Sequence, residues 1–125
     1  MKKSPQTIAL DFDGVLHAYR GWNGGKLNGA VEGALEAVEE LIERGFRIVV
    51  HSARDAAPIR RWLKEQGFPA LEVTREKPPA MAYVDDLAVR FDGQWTGEMI
   101  DRIASNRPYW KHQPRRNTLS ALGDE

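Results

Sequence analysis

Strands alternating with amphipathic helices put this sequence in the α/β class, with a parallel sheet of doubly wound type. Three observations carry that expectation. Short apolar runs recur at 7–12, 47–52 and 81–85, and each stops abruptly at polar residues. Between them, apolar residues return every three or four positions, the spacing of a helix with one buried face. The polar residues that end the runs lie at their carboxyl ends, where open parallel sheets keep their ligand crevice.

The elements follow in order. Thr7 to Phe12 reads as a buried strand, and 17–29 as a polar, glycine-rich loop in which Asn23-Gly24-Gly25 marks a turn. Val31, Ala34, Leu35, Val38, Leu41 and Ile42 then fall at helical spacing, and Gly45 closes that helix. Arg47 to Ser52 is a second strand. Asp55 is placed to cap a helix with Pro58 in its first turn and Ile59, Trp62 and Leu63 facing inward, ended by Gly67. A short strand near Leu71 to Thr74 precedes another at Met81 to Asp85. Ala88 to Trp95 reads as a small hairpin around Asp92-Gly93. Thr96 caps a last helix, with Met99, Ile100 and Ile103 inward. From Asn106 to Glu125 periodicity is lost, and a loosely ordered tail is expected.

The 125 residues are enough for one domain with a real core. Eighteen basic and eighteen acidic residues cancel, so the chain as a whole is no polyanion-binding arm, and phosphate recognition must be local. With no cysteine there are no disulfides or thiolate zinc sites, which fits a cytoplasmic location. Met1-Lys2-Lys3-Ser4-Pro5 lacks the apolar stretch of a signal peptide, and no run reaches membrane-spanning length.

Chemistry gathers at the strand ends. The first run ends in Asp11-Phe12-Asp13-Gly14, two carboxylates one position apart. Burying like charges this close is costly unless a cation is shared or one carboxyl keeps its proton. Gly14 lets the chain turn through a conformation closed to residues with a Cβ. The second run ends at Ser52, the last at Asp85-Asp86, and Lys77-Pro78 holds a cation outside any helix eight residues before Asp85.

Asp-x-Asp-Gly, Ser, Lys and Asp-Asp, in that order and near strand ends, resemble the four motifs of the haloacid dehalogenase (HAD) superfamily of phosphohydrolases. The resemblance spans about residues 6 to 104. It implies a Rossmann-like domain over 1–105 with a short flap after the first strand and, because neither inter-motif gap has room for one, no cap domain. It further implies a Mg²⁺-dependent phosphatase working through an aspartyl-phosphate. In that scheme Asp11 is the nucleophile and Asp13 the general acid/base. Ser52 contacts a phosphoryl oxygen, and Lys77 bridges nucleophile and phosphate, with Arg75 its rival. The resemblance assigns Mg²⁺ to the Asp11 carboxylate, the Asp13 backbone carbonyl and one of Asp85 and Asp86. Asp86 is favoured by alignment with relatives, though spacing alone leaves the pair open.

Other residues carry weaker expectations. Arg54 is a candidate for a second anionic group on the substrate, or simply a solvated helix start. Tyr19 and Trp22 offer stacking surfaces. His17 reads either as a substrate contact or as a surface-loop residue, and His51, pointing to the face opposite Ser52, as a core or interface histidine. The loop Gly21 to Lys26 is no phosphate-binding P-loop: Arg20 stands where its first glycine belongs, and Leu27 replaces the Ser or Thr. An open, capless site suits a phosphorylated substrate such as a nucleotide or a polynucleotide end, with a sugar phosphate or a non-catalytic phospho-ligand module as alternatives. The aromatic and basic residues of the tail, among them Tyr109, Trp110, Arg115 and Arg116, add a possible nucleic-acid grip. No membrane partner is expected, and the oligomeric state is open.

Overall fold

The computed structural model describes residues 6–112. Its elements in chain order are β1 (Thr7–Asp11), α1 (Ala34–Glu43), β2 (Arg47–His51), α2 (Ala56–Glu65), β3 (Glu72–Thr74), β4 (Ala82–Val84), α3 (Gly97–Ala104) and α4 (Tyr109–His112). The class is α/β, as the sequence indicates. The four strands form one parallel sheet in the order β3-β2-β1-β4, flanked by helices.

That order places β1 between β2 and β4, so the sheet runs outward from β1 in both directions. The switch point lies at the carboxyl end of β1. β1 pairs with β2 from Thr7↔Arg47 to Asp11↔His51, and with β4 from Ile8↔Ala82 to Leu10↔Val84. One further step of the second register sets Asp85 beside Asp11.

The chain divides into two compact units, one ending at Asp86 and one beginning at Leu87. In the first, Ile8, Leu10, Ile48 and Val50 point to one face, following the two-residue alternation of a strand. Ala34 and Val38 of α1 and Ile59, Trp62 and Leu63 of α2 join them in a single apolar cluster with Phe12, Leu16 and Phe68. The inward residues of α1 and α2 fall among those the helical spacing selects, though Ile42 of the α1 set is 39% exposed. Gly45 and Gly67 follow the two helices with φ of 95° and 85°, values that side chains with a Cβ rarely adopt.

Several expectations are corrected. Asp55 stands at the start of α2 but makes no capping hydrogen bond with its side chain, which pairs instead with Arg75. Ala88 to Trp95 forms no hairpin: among the described residues of the second unit there is no strand, and Asp92 accepts from the Gln94 N–H in a local turn. Thr96 does cap α3, its hydroxyl accepting from Met99 N at 3.1 Å. Of the three residues expected inward on α3 only Met99 is buried; Ile100 and Ile103 are 58% and 47% exposed. Of the tail, residues 109–112 form the short α4, and 113–125, with Arg115 and Arg116, lie outside the described residues.

Candidate active site

Asp11, Asp85 and Asp86 come together at the switch point, each offering a carboxylate oxygen within 4.8 Å of the others. Gly14 makes this possible. Its φ is +84°, and a Cβ built on it would lie 2.6 Å from the Asp86 Cγ and closer still to Oδ2. The bare glycine thus leaves the space that the Asp86 carboxylate fills.

Burial, the charges of Asp85 and Asp86 and a hydrogen bond with Asp86 push the Asp11 pKa up to about 7, against the Phe12 N–H that donates to Asp11 Oδ1 at 2.9 Å. Three clustered carboxylates with one driven toward its protonated form are an all-oxygen donor set of the kind hard divalent cations take. These residues fit Mg²⁺. Both Asp85 and Asp86 belong to the cluster.

Asp13 has the opposite environment. Burial acts to raise its pKa, but hydrogen bonds from His17 and Arg54 and the Arg54 charge outweigh it and hold the carboxyl below its ordinary value. His17 Nδ1 lies 2.8 Å from Asp13 Oδ1, and Arg54 Nε lies 2.8 Å from Oδ2. The two acids of the first motif therefore do differ in protonation tendency. Of the two, it is Asp11 whose surroundings favour the proton.

Ser52 is buried just beyond β2, and its Oγ accepts the Arg54 N–H at 3.1 Å, which leaves its own O–H to donate. Arg54 is no solvated helix start. It bonds Asp13, with its guanidinium carbon 5.3 Å from the Trp22 ring centre and 5.9 Å from that of Tyr19.

The flap carrying those rings has a pinned base. Ala18 N donates to Gly29 O, Val31 N to Leu16 O, and the Asn28 side chain to Ala18 O at 2.7 Å. Its tip is the turn the sequence marks: Lys26 N donates to Asn23 O, with φ of 61° and 85° at Gly24 and Gly25. A cavity of about 490 Å³ opens under it, lined by Trp22, Leu27, Arg54, Pro58, Ile59 and Arg75.

Two expected residues are placed otherwise. Lys77 is exposed, and its Nζ lies 4.5 Å from the ring centre of Tyr83 on β4, with no ion pair to Asp11 among the described residues. Its rival Arg75 is taken by Asp55. His17 is neither a surface residue nor open to substrate: it is 1% exposed, behind Asp13. His51, at the end of β2 in register with Asp11, is half-buried.

The acid cluster makes stability depend on pH and metal together. In the folded protein Asp11 keeps its proton up to about pH 7, whereas the unfolded chain releases it near the ordinary value of 3.8. Without Mg²⁺, stability is therefore lost as pH rises through that window. Asp13 acts below it: its depressed pKa contributes stability that disappears only in stronger acid. A cation held by the ionised cluster would bind the folded state alone, so a rise in Tm from millimolar Mg²⁺ should be larger at about pH 8 than at about pH 5. Thermal melts with chelator and with Mg²⁺ measure this. A Tm indifferent to Mg²⁺ at both pH values would remove the metal site.

No family model matches the chain, and no curated protein does. A solved structure, that of a conserved protein from Bacteroides thetaiotaomicron, is similar to it in fold. The two are 20% identical, the likeness covers 80% of this chain and 89% of that one, and the TM-score is 0.56. At that identity the likeness bears on the fold, and it agrees with a Rossmann-like α/β architecture. Within that class, the chain is one whose switch point carries an acidic cluster suited to a metal ion.

Proposed function

We propose that this chain is a Mg²⁺-dependent phosphomonoesterase of the HAD type, acting through an aspartyl-phosphate. The observation that carries the reading is the convergence of Asp11, Asp85 and Asp86 at the switch point, with Asp13 two residues beyond the nucleophile. In this scheme Mg²⁺, held by Asp11, Asp85 or Asp86 and the Asp13 carbonyl, would offset the negative charge of the phosphoryl group.

The chain's own residues supply the rest. An Asp11 carboxylate oxygen attacks phosphorus, and the bond to the leaving oxygen breaks as Asp13 gives that oxygen a proton. Asp13 then takes a proton from the water that attacks the aspartyl-phosphate, which frees inorganic phosphate and restores Asp11. The Ser52 hydroxyl donates to a phosphoryl oxygen. Lys77 reaches the phosphate in this scheme only by leaving the Tyr83 ring.

A nucleotide or polynucleotide end is the substrate the flap favours. Trp22 is 70% exposed beside the cavity that Arg54 also lines, which joins a stacking face to a cation suited to a second phosphate.

The test is turnover of a small aryl phosphate and of a panel of nucleotide, polynucleotide and sugar phosphates, with and without Mg²⁺. Mg²⁺-dependent release of phosphate is expected. Replacing Tyr19 and Trp22 together with alanine should spare the aryl phosphate and lower kcat/KM on the nucleotide substrate roughly 10- to 100-fold. Equal losses on both would make the flap part of the catalytic core. A preference for sugar phosphates would overturn the substrate assignment, and binding without turnover on any ester would leave a phospho-ligand module.

A further inference from the structure

His17 has a role that the four motifs do not assign. Its ring is 1% exposed, lies parallel to Phe12 with centres 5.1 Å apart, and meets Trp62 edge-on at 5.9 Å. Both ring nitrogens are engaged, and in opposite senses. The Asn28 N–H donates to Nε2 at 2.8 Å, so Nε2 is the acceptor and the ring's proton sits on Nδ1. Nδ1 is the nitrogen that faces Asp13 Oδ1 at 2.8 Å.

Asn28, whose N–H fixes this tautomer, is itself held. Its carbonyl accepts the Trp62 indole N–H at 2.7 Å, and its side chain donates to Ala18 O. Trp62 belongs to α2 and is 3% exposed. A chain of bonds therefore runs from the core of α2, through the flap base, to one oxygen of Asp13.

The two oxygens of Asp13 are consequently unlike. Oδ1 is bound by a buried ring that is stacked on Phe12, met edge-on by Trp62 and tied at its other nitrogen to Asn28 N. Oδ2 is bound by Arg54, which is 18% exposed and rests on the flap rings Tyr19 and Trp22. We propose that His17 is a tautomer-locked positioning residue that clamps Oδ1 of Asp13 and so confines proton exchange with the substrate to Oδ2. The proton leaves Oδ2 for the departing ester oxygen, and Oδ2 takes one back from the attacking water; Nδ1 keeps its own throughout. This rests on the phosphatase reading for its chemistry, but the lock itself is a property of the resting protein.

Two measurements test it separately. Nitrogen NMR of the imidazole-labelled protein should find Nδ1 protonated and Nε2 bare at neutral pH; a proton on Nε2 overturns the lock. Kinetics test the role. His17→Phe keeps the stacking and removes the donor, and it should lower kcat on an alkyl phosphate by roughly 10- to 100-fold, the scale of a misplaced acid/base group, with KM changed less than about twofold. His17→Asn restores an amide N–H at the Nδ1 position and should recover kcat to within about fivefold of the parent. His17→Gln reaches toward Asn28 but presents no donor to Oδ1, so it should behave like the phenylalanine variant. It carries the same contrast with asparagine if phenylalanine prevents folding.

Equal losses in all three variants, or full kcat in His17→Phe, overturn the positioning role. A wild-type protein that turns over no phosphate ester overturns the phosphatase reading and the catalytic half of this proposal with it, whichever tautomer the spectrum shows.

Discussion

Asp11→Asn should fold normally and lose at least a thousandfold in turnover, about 4 kcal/mol of barrier at 1.4 kcal/mol per tenfold. An amide oxygen is a poor nucleophile toward phosphorus and a weaker ligand for a hard cation. The substitution also removes the group whose pKa its neighbours drive to about 7. Its Tm in chelator at neutral pH should therefore equal or exceed that of the parent, because one member of a crowded acidic cluster is gone. The measurement pairs a steady-state assay on an ester the parent cleaves with a melt in chelator. A variant as active as the parent would show that the nucleophile lies elsewhere. One that is inactive but also strongly destabilised would make Asp11 a structural residue.

Gly14→Ala should do nearly as much damage without touching a carboxylate. The added methyl falls 2.6 Å from the Asp86 Cγ and 3.2 Å from its Cβ, so that side chain must swing out of the cluster. The backbone there, at φ +84°, also costs an L-residue about 1–2 kcal/mol. Gly67 separates the two effects, since its φ is +85° and nothing lies within 4 Å of a Cβ built on it. Gly67→Ala should lose a similar amount of stability but keep the Mg²⁺-induced rise in Tm. Gly14→Ala should weaken Mg²⁺ affinity roughly 10- to 100-fold, the usual cost of disturbing a ligand's support. Melts of both variants across a Mg²⁺ titration give the comparison. A normal Mg²⁺ response in Gly14→Ala would mean that Asp86 is dispensable to the site.

The residues that form the acidic cluster could be read from the sequence because strand ends in a parallel sheet are local events. Apolar runs such as Ile8-Ala9-Leu10 end where the polar residues begin, and a parallel register carries those ends to one edge. The inward residues of α1 and α2 were legible for the same reason, since spacing alone decides which side chains share a face. What covers a face is a non-local matter. Ile100 and Ile103 share a side of α3 with Met99, yet they remain exposed. Ala88 to Trp95 has a turn signal and apolar flanks, but an isolated two-stranded hairpin is marginal in water, and no strand forms there.

His17 was hidden for a related reason. Nothing in the local sequence says that Trp62, forty-five residues on, will pack on its ring and hold the Asn28 peptide against it. Its spacing four residues after Asp13 was the available signal, because the tight turn in which Leu16 N and His17 N both bond Phe12 O folds the ring back onto that acid. Lys77 shows the converse. Its position in the motif order is right, but an exposed lysine on a flexible stem takes the nearest aromatic face, here Tyr83.

The strand order has a consequence for how the chain comes into being. Within this sheet β1 comes first along the chain and β4 last, yet they are neighbours. While a ribosome is still making residues 52–80, β1 can pair with β2, but its other edge stays open and its apolar residues have no second strand beside them. Such an edge invites pairing with other chains. Closing it brings Asp85 and Asp86 against Asp11, so the last step of sheet assembly works against charge repulsion. If the proposed divalent cation binds at that point, it would act as a fastener for the nascent domain, and the supply of the ion would bear on how many chains reach the folded state.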